Sequence, residues 1–170
     1  FDYIVLACGA EKKGRLNIEG NVMNVIDFLY AFKNGGELKL GRNVAVGGGG
    51  NTAMDAARAA KRAEGVEKVT LVYRRNRRYM PADLEELELA IEDGVEFMEL
   101  ASPVKQANGK RGCNKMKLGD KDASGRRVPV ETGETVEVDA DTVIAQNNGQ
   151  ITGEDIHASL GRIVGRVMVL

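Results

Sequence analysis

Asn43-Val-Ala-Val-Gly-Gly-Gly-Gly-Asn-Thr-Ala-Met-Asp-Ala-Ala-Arg58 carries three signals in order. Asn43 to Val46 is a short apolar run and reads as a buried strand. Gly47 to Gly50 interrupt it. From Thr52 to Ala63 the residues Ala53, Ala56, Ala57 and Ala60 recur at i, i+3, i+4 and i+7. That spacing predicts a helix with a narrow, small-residue face, suited to close packing on a sheet. Thr52 and Asp55 stand at capping-box spacing at its start. Within this stretch Gly48-Gly49-Gly50-Asn51-Thr52-Ala53 reads G-x-G-x-x-A, the dinucleotide fingerprint in its strand–turn–helix setting. Gly48 permits the tight turn, Gly50 lets backbone approach a pyrophosphate, and Ala53 lets the helix lie close to the strand. The free N–H groups and dipole at the helix start attract phosphate. Gly47 lengthens the run by one and leaves the register open. The competing reading is an ordinary glycine-rich turn; the complete context favours the nucleotide site.

The next strand decides which nucleotide. Val69 to Tyr73 is rich in β-branched residues. An NAD site wants Asp or Glu about 20 residues after the glycines, on the ribose 2′-OH. Here Tyr73 is followed by Arg74, Arg75, Asn76, Arg77 and Arg78, with no carboxylate at the tip. Guanidinium groups match phosphate in a bidentate way, and a 2′-phosphate distinguishes NADP from NAD. The alternatives are a solvated basic loop or a nucleic-acid patch. The patch is disfavoured by a chain with Lys+Arg 24 against Asp+Glu 25, and by the few aromatics around the cluster.

Outward from this core, Tyr3 to Cys8 reads as a buried strand stopped by Gly9, and residues 9–22 as a loop. Asn24 can cap a helix carrying Val25, Phe28, Leu29 and Phe32, with Asp27 near capping-box spacing and Gly35-Gly36 as the stop. A helix over about 82–93 bears Leu84, Leu87 and Ile91 and stops at Gly94; Val95 to Leu100 is the next strand. Alternating strands and helices predict parallel βαβ units. From Pro103 the texture changes. Val104–Ala107, Cys113–Leu118 and Thr135–Val138 read as an antiparallel meander, with Asn108-Gly109 a hairpin signal, and Asp141–Ala145 as one more buried strand. The expected fold class is α/β: a Rossmann-like parallel sheet with helices on both faces, plus a three-stranded antiparallel meander.

Composition narrows the function. The formal charge of -1 disfavours a general nucleic-acid binder. No apolar run approaches the roughly 18 residues of a membrane span, and no signal-peptide pattern opens the chain; a cytoplasmic setting is expected. Cys8 and Cys113 form no CxxC pair, and His157 is the only histidine, so no metal site is expected. Gly 21 in 170 residues is about 12%, against an average near 7%, and the excess is partly gathered at Gly47–Gly50. Cys8 and Met54 read as packing residues. Glu85, Glu86, Glu88, Glu92 and Asp93 read as a solvated helix face. No general acid or base is assigned.

The fingerprint stretch, then Val69-Thr-Leu-Val-Tyr-Arg-Arg75, Met80-Pro-Ala82, Glu85-Glu86 and Gly94-Val-Glu-Phe97, resembles the glutamate synthase small-subunit family. That family includes the NADPH-binding part of dihydropyrimidine dehydrogenase and selenate reductase-like flavoprotein subunits. The resemblance covers about residues 43–103. Ala7-Cys-Gly-Ala10 is similar to the segment preceding the NADPH domain, and Asp141-Thr-Val-Ile144 to the strand returning to the FAD domain. It implies an NADPH-binding domain inserted in an FAD-binding domain, with hydride passing from NADPH to flavin and on to iron–sulfur clusters or a partner subunit. Carried over by position, Gly48, Gly49, Gly50, Asn51, Thr52 and Ala53 form the pyrophosphate turn. Arg74 meets the 2′-phosphate, with Arg75 and an arginine just before Met80-Pro81, Arg77 or Arg78, as further candidates. The implied organisation is a remnant of the FAD domain and linker over 1–22, the NADPH domain over 23–146, and an unassigned segment over 147–170. No second GxGxxG is present, and residues 145–150 depart from the family pattern. A fragment of a larger flavoenzyme is therefore expected, inactive alone, with FAD bound only in the full-length protein. Two other readings stay open: a dinucleotide-binding regulatory module without turnover, and a dehydrogenase acting directly on a small substrate.

Overall fold

The structure is a computed structural model that describes residues 3–6, 20–107, 110–123, 125–145 and 166–169. In chain order its elements are β1 (Tyr3–Leu6), β2 (Val22–Asn24), α1 (Val25–Lys33), β3 (Asn43–Gly47), α2 (Asn51–Arg62), β4 (Lys68–Tyr73), a 3-10 turn at Arg77–Tyr79, α3 (Leu84–Glu92), β5 (Glu96–Glu99), β6 (Ala101–Ala107), β7 (Lys110–Lys121), β8 (Arg127–Asp139), β9 (Thr142–Ala145) and β10 (Arg166–Val169). Two compact units result. Phe1–Arg15 with Asn147–Leu170 form one, in which β1 and β10 pair in parallel; Leu16–Gln146 form the other.

The larger unit is built on a parallel sheet of order β2-β9-β3-β4-β5. Val44 lies opposite Val69 and Val46 opposite Leu71, and Val143 sits beside Ala45 on the other flank. β9 arrives last in the chain yet lies between β2 and β3. The strand order therefore reverses at β3, and ligands of open α/β sheets bind at the carboxyl ends beside such a reversal. β2 has three residues and begins at Val22, the last residue of the expected loop; among the described residues it pairs with β9 alone, and Asn24, as expected, caps α1.

Alternation along the strands assigns the two faces. Val44, Val46, Val69, Leu71 and Ile144 join one buried cluster with Val25 and Phe28 of α1, the alanines of α2, and Leu87 and Ala90 of α3. Ala45, Val143 and Ala145 cluster with Ala140. Val72 clusters with Ala101, Cys113 and Val138 of the antiparallel sheet β6-β7-β8. All three described α-helices thus cover one face. On the other face the antiparallel sheet packs at Val72, while Ala45, Val143 and Ala145 are buried with Ala140, and Val22 packs against them; among the described residues no helix joins these clusters, where further helices were expected. The fold class stands, and the physical requirement is unchanged: strands apolar on both sides need cover on both sides. The meander strands are longer than their apolar patches suggested, with 12 residues in β7 and 13 in β8. Ala107 pairs with Lys110 across the Asn108-Gly109 connection, which itself lies outside the described residues, as do Cys8 and His157. Met54 is fully buried, a packing residue. Among the described residues no helix is long and apolar enough to cross a membrane.

Two polar clusters hold this frame. Asp141 Oδ2 accepts from the backbone N–H groups of Arg42 and Asn43, each at 2.8 Å, and Asp141 N–H donates to Asn43 O at 2.8 Å. This fixes β9 beside β3. Gly41 makes room for it: its φ is 78° and a Cβ there would lie 2.8 Å from Asp141 Cγ. Asp141→Ala is expected to cost about 2 kcal/mol, low for two charge-assisted bonds because water reaches Arg42. Denaturant unfolding measures this, and Gly41→Ala should fall in the same direction.

Asp93 follows α3 and accepts from Arg58 Nε at 2.8 Å and Arg62 Nη2 at 2.6 Å, tying α3 to α2. The acidic helix face is therefore not all solvated. The Arg58 hydrogen bond, helped by the charge of Arg62, holds the Asp93 carboxyl below the usual range, although partial desolvation opposes it. A carboxylate with a depressed folded pKa stabilises above its unfolded pKa and loses that stability as pH falls through the folded value. Asp93→Asn should therefore unfold more easily than wild type at neutral pH. The gap should close in acid, and melts from pH 7 downward would read it.

Candidate functional site

The glycine turn lies at the carboxyl end of β3. Gly47 is the last strand residue, and Gly48 N–H donates to Val72 O at 3.2 Å, which registers the turn against β4. α2 begins at Asn51 with Gly50 as N-cap, two residues earlier than the Thr52–Asp55 capping box required. That box does not form: no side chain caps the helix, and no acidic residue occupies its first turn. The open N–H groups and the positive end of the helix dipole meet whatever lies above the turn. Gly50 has φ -100° and ψ 168°, ordinary extended backbone. Gly49 is special for a different reason. A Cβ there would lie 2.6 Å from Cδ2 of Tyr73, so the turn packs directly on that ring. Ala53 is fully buried and serves the packing of α2 on the sheet.

The four arginines have separate fates. Arg74 is exposed at the tip of β4, and Arg78 is exposed within the 3-10 turn. Arg77 donates its backbone N–H to Glu99 Oε1 at 2.6 Å, and its guanidinium stands 5.9 Å from the Phe97 ring centroid. With Asn76, Arg78, Phe97 and Glu99 it lines an open depression of about 590 Å³. Arg75 is only 8% exposed and turns the other way. Its Nε donates to Arg127 O at 2.7 Å, and its Nη2 lies 3.7 Å from Asp122 Oδ2. The structure therefore brings Gly48, Gly49, Gly50, Asn51, Thr52, Arg74, Arg77 and Arg78 to one end of the sheet, and takes the Arg75 side chain away from it.

Sequence reasoning missed the residues that join the two loops. Tyr73 supports Gly49 with its ring and donates its hydroxyl to Tyr79 O at 2.8 Å. Ala82 N–H donates to Gly49 O at 3.0 Å. Asn51 Nδ2 donates to Asp83 Oδ2 at 3.2 Å, and Asp83 N–H returns a bond to Asn51 Oδ1 at 3.1 Å. Met80-Pro-Ala82 was visible as a motif, but its partner across the site was not. Glu99 was also missed. The tip of β4 has no carboxylate, yet the neighbouring strand supplies one to Arg77.

Residues 1–160 match the family described as Pyridine nucleotide-disulphide oxidoreductase. The putative oxidoreductase YgfK of Escherichia coli K12 is 45% identical over 162 residues, which cover 93% of this chain and 16% of YgfK. The glutamate synthase [NADPH] small chain of Azospirillum brasilense is 39% identical over 130 residues, 73% of this chain and 27% of that protein. The chain thus spans about a sixth to a quarter of these relatives. The structure of FprA from Mycobacterium tuberculosis in complex with NADPH superposes with TM-score 0.67, covering 86% of this chain and 50% of FprA. At 20% identity that likeness shows the fold. The resemblance to glutamate synthase small subunits is borne out, and the chain belongs to the pyridine nucleotide-disulphide oxidoreductase family.

Proposed function

We propose that this chain is the NADPH-binding part of a larger, cytoplasmic FAD-dependent oxidoreductase, which passes reducing equivalents from NADPH to a flavin and on to an iron–sulfur or partner-subunit acceptor. Residues 23–146 are the nucleotide-binding domain, 1–22 derive from the flavin domain and its linker, and FAD is held in the full-length protein. One observation carries the reading: the α2 N-terminus has neither a capping side chain nor an acid in its first turn, and exposed Arg74 and Arg78 follow the adjacent strand. That combination suits a pyrophosphate beside a 2′-phosphate. The NADPH in the glutamate synthase small chain's name, and the NADPH bound by FprA, support the same choice.

The residues present fit such a cofactor. The backbone of Gly49, Gly50, Asn51 and Thr52 would hold the pyrophosphate, with Gly48 shaping the turn through its bond to Val72 O, and Arg74, with Arg77 and Arg78, the 2′-phosphate. Arg75 drops out of that set because its guanidinium is already bonded to Arg127 O. Bound NADPH supplies the hydride. The chain contributes placement and electrostatics, so no proton-transferring residue is required of it.

A charge-assisted hydrogen bond contributes roughly 1.5–3 kcal/mol, on the order of 10- to 100-fold in affinity, and less where salt screens it. Arg74→Ala should weaken NADPH binding by about that factor and leave NADH binding nearly unchanged. Titrating both cofactors into wild type and variant tests this. Equal wild-type affinities for the two would defeat the reading. Gly50 tests the turn independently. Its extended φ and ψ suit a β-branched residue. Gly50→Val should therefore fold but lose more than about 100-fold in affinity for either cofactor by filling the space the pyrophosphate needs. Wild-type affinity in a folded Gly50→Val protein would place the phosphate turn elsewhere.

A further inference from the structure

Arg75 sits between Arg74 and the rest of the arginine loop, yet faces the antiparallel sheet. Its side chain is 9% exposed, donates to Arg127 O at 2.7 Å and stands 3.7 Å from Asp122 Oδ2. Arg127 opens β8 and Asp122 follows β7, so both partners flank one hairpin connection. A second tether starts from the same residue. Arg75 O accepts from Leu100 N–H at 3.1 Å, and Leu100 O accepts from Met116 N–H of β7 at 2.7 Å. Leu100 has φ 54°, the one non-glycine among the described residues in the left-handed region. Such a conformation persists where surrounding bonds over-determine it, and here it links the tip of β4 to β7. A buried guanidinium is costly unless bonded. An arginine whose only task was solubility would not be spent there.

From this we infer that Arg75 is a positioning residue. It clamps the β4 tip to the antiparallel sheet and so aims Arg74 at the 2′-phosphate, without touching the cofactor. The inference rests on the NADPH reading above. It gives the meander a task in cofactor choice: discrimination between NADPH and NADH depends on a hairpin remote in sequence from the fingerprint.

A double-mutant cycle tests it. Arg75→Met keeps the buried aliphatic stem and removes the guanidinium. Dissociation constants for NADPH and NADH are measured by calorimetry on wild type, Arg74→Ala, Arg75→Met and the double variant. Arg75→Met should weaken NADPH binding by about tenfold, within the span one charge-assisted contact supplies, and leave NADH within about twofold. In the Arg74→Ala background it should have no further effect, because it acts through Arg74. Losses that multiply in the double variant would mean that Arg75 contacts the phosphate itself, and equal losses for both cofactors would mean a general folding role; either overturns the inference. Should Arg75→Met fail to fold, Asp122→Asn loosens the same clamp from the hairpin side. It should lower the NADPH preference less, again without affecting NADH; an unaltered preference there also overturns it. A wild type with no preference for NADPH removes the reading and the inference together. A preference that survives Arg75→Met intact removes the inference alone.

Discussion

Everything at the carboxyl end of the sheet hangs on how near α2 can lie to β3 and β4. Ala53, Ala56, Ala57 and Ala60 are fully buried against Val44, Val46, Val69 and Leu71. Alanine is the largest side chain that keeps such a contact this close while favouring helix. A larger residue at any of the four would lift the helix and with it the turn at Gly48–Gly50. The cost would be more than packing. The bonds Gly48 N–H to Val72 O and Ala82 N–H to Gly49 O, and the seat of Gly49 on Tyr73, all assume the same height of the helix above the sheet.

Local patterns carried much of this into the sequence. The alanine spacing, the glycines and the β-branched run at Val69 describe units that pack on themselves within about thirty residues, so β3, α2 and β4 were legible with boundaries correct to a residue or so. What escaped was set by residues far apart in the chain. β2 has three residues and exists because β9, about 120 positions later, offers it an edge. Among the described residues the antiparallel sheet, rather than a helix, packs on Val72 of the second face, which no periodicity encodes. Thr52 and Asp55 had the right spacing for a capping box, but the helix began at Asn51. Asn51 instead met Asp83 across the site.

The arginine loop shows the same limit in electrostatic terms. By residue type Arg74, Arg75, Arg77 and Arg78 are interchangeable. Their surroundings separate them: Arg75 is taken by a carbonyl of β8, Arg77 is partly neutralised by Glu99, and Arg74 and Arg78 keep solvent-facing guanidinium groups. The sequence measured the positive charge at this edge but could not apportion it. A loop with four free arginines would repel itself. Tying one inward and pairing another lowers that repulsion and leaves fewer, better-placed charges.

Those ties also bear on affinity. Ordering a rotamer-rich side chain or loop on binding costs about 0.5–1.5 kcal/mol per group, enough to erase one charge-assisted contact. Here the backbone of the loop is held before any ligand arrives. Tyr73 bonds Tyr79 O, Glu99 takes Arg77 N–H, and Met80 N–H donates to Arg77 O. Only the Arg74 and Arg78 side chains remain to be ordered. The Asn51–Asp83 exchange does the same for the glycine turn, fixing the start of α2 to the start of α3. Phosphate recognition by open N–H groups works only when they converge without reorganisation, since water competes for each one separately. A turn stitched at both ends to its neighbours meets that condition, and bonds that never touch a ligand thereby set how strongly the turn can hold one.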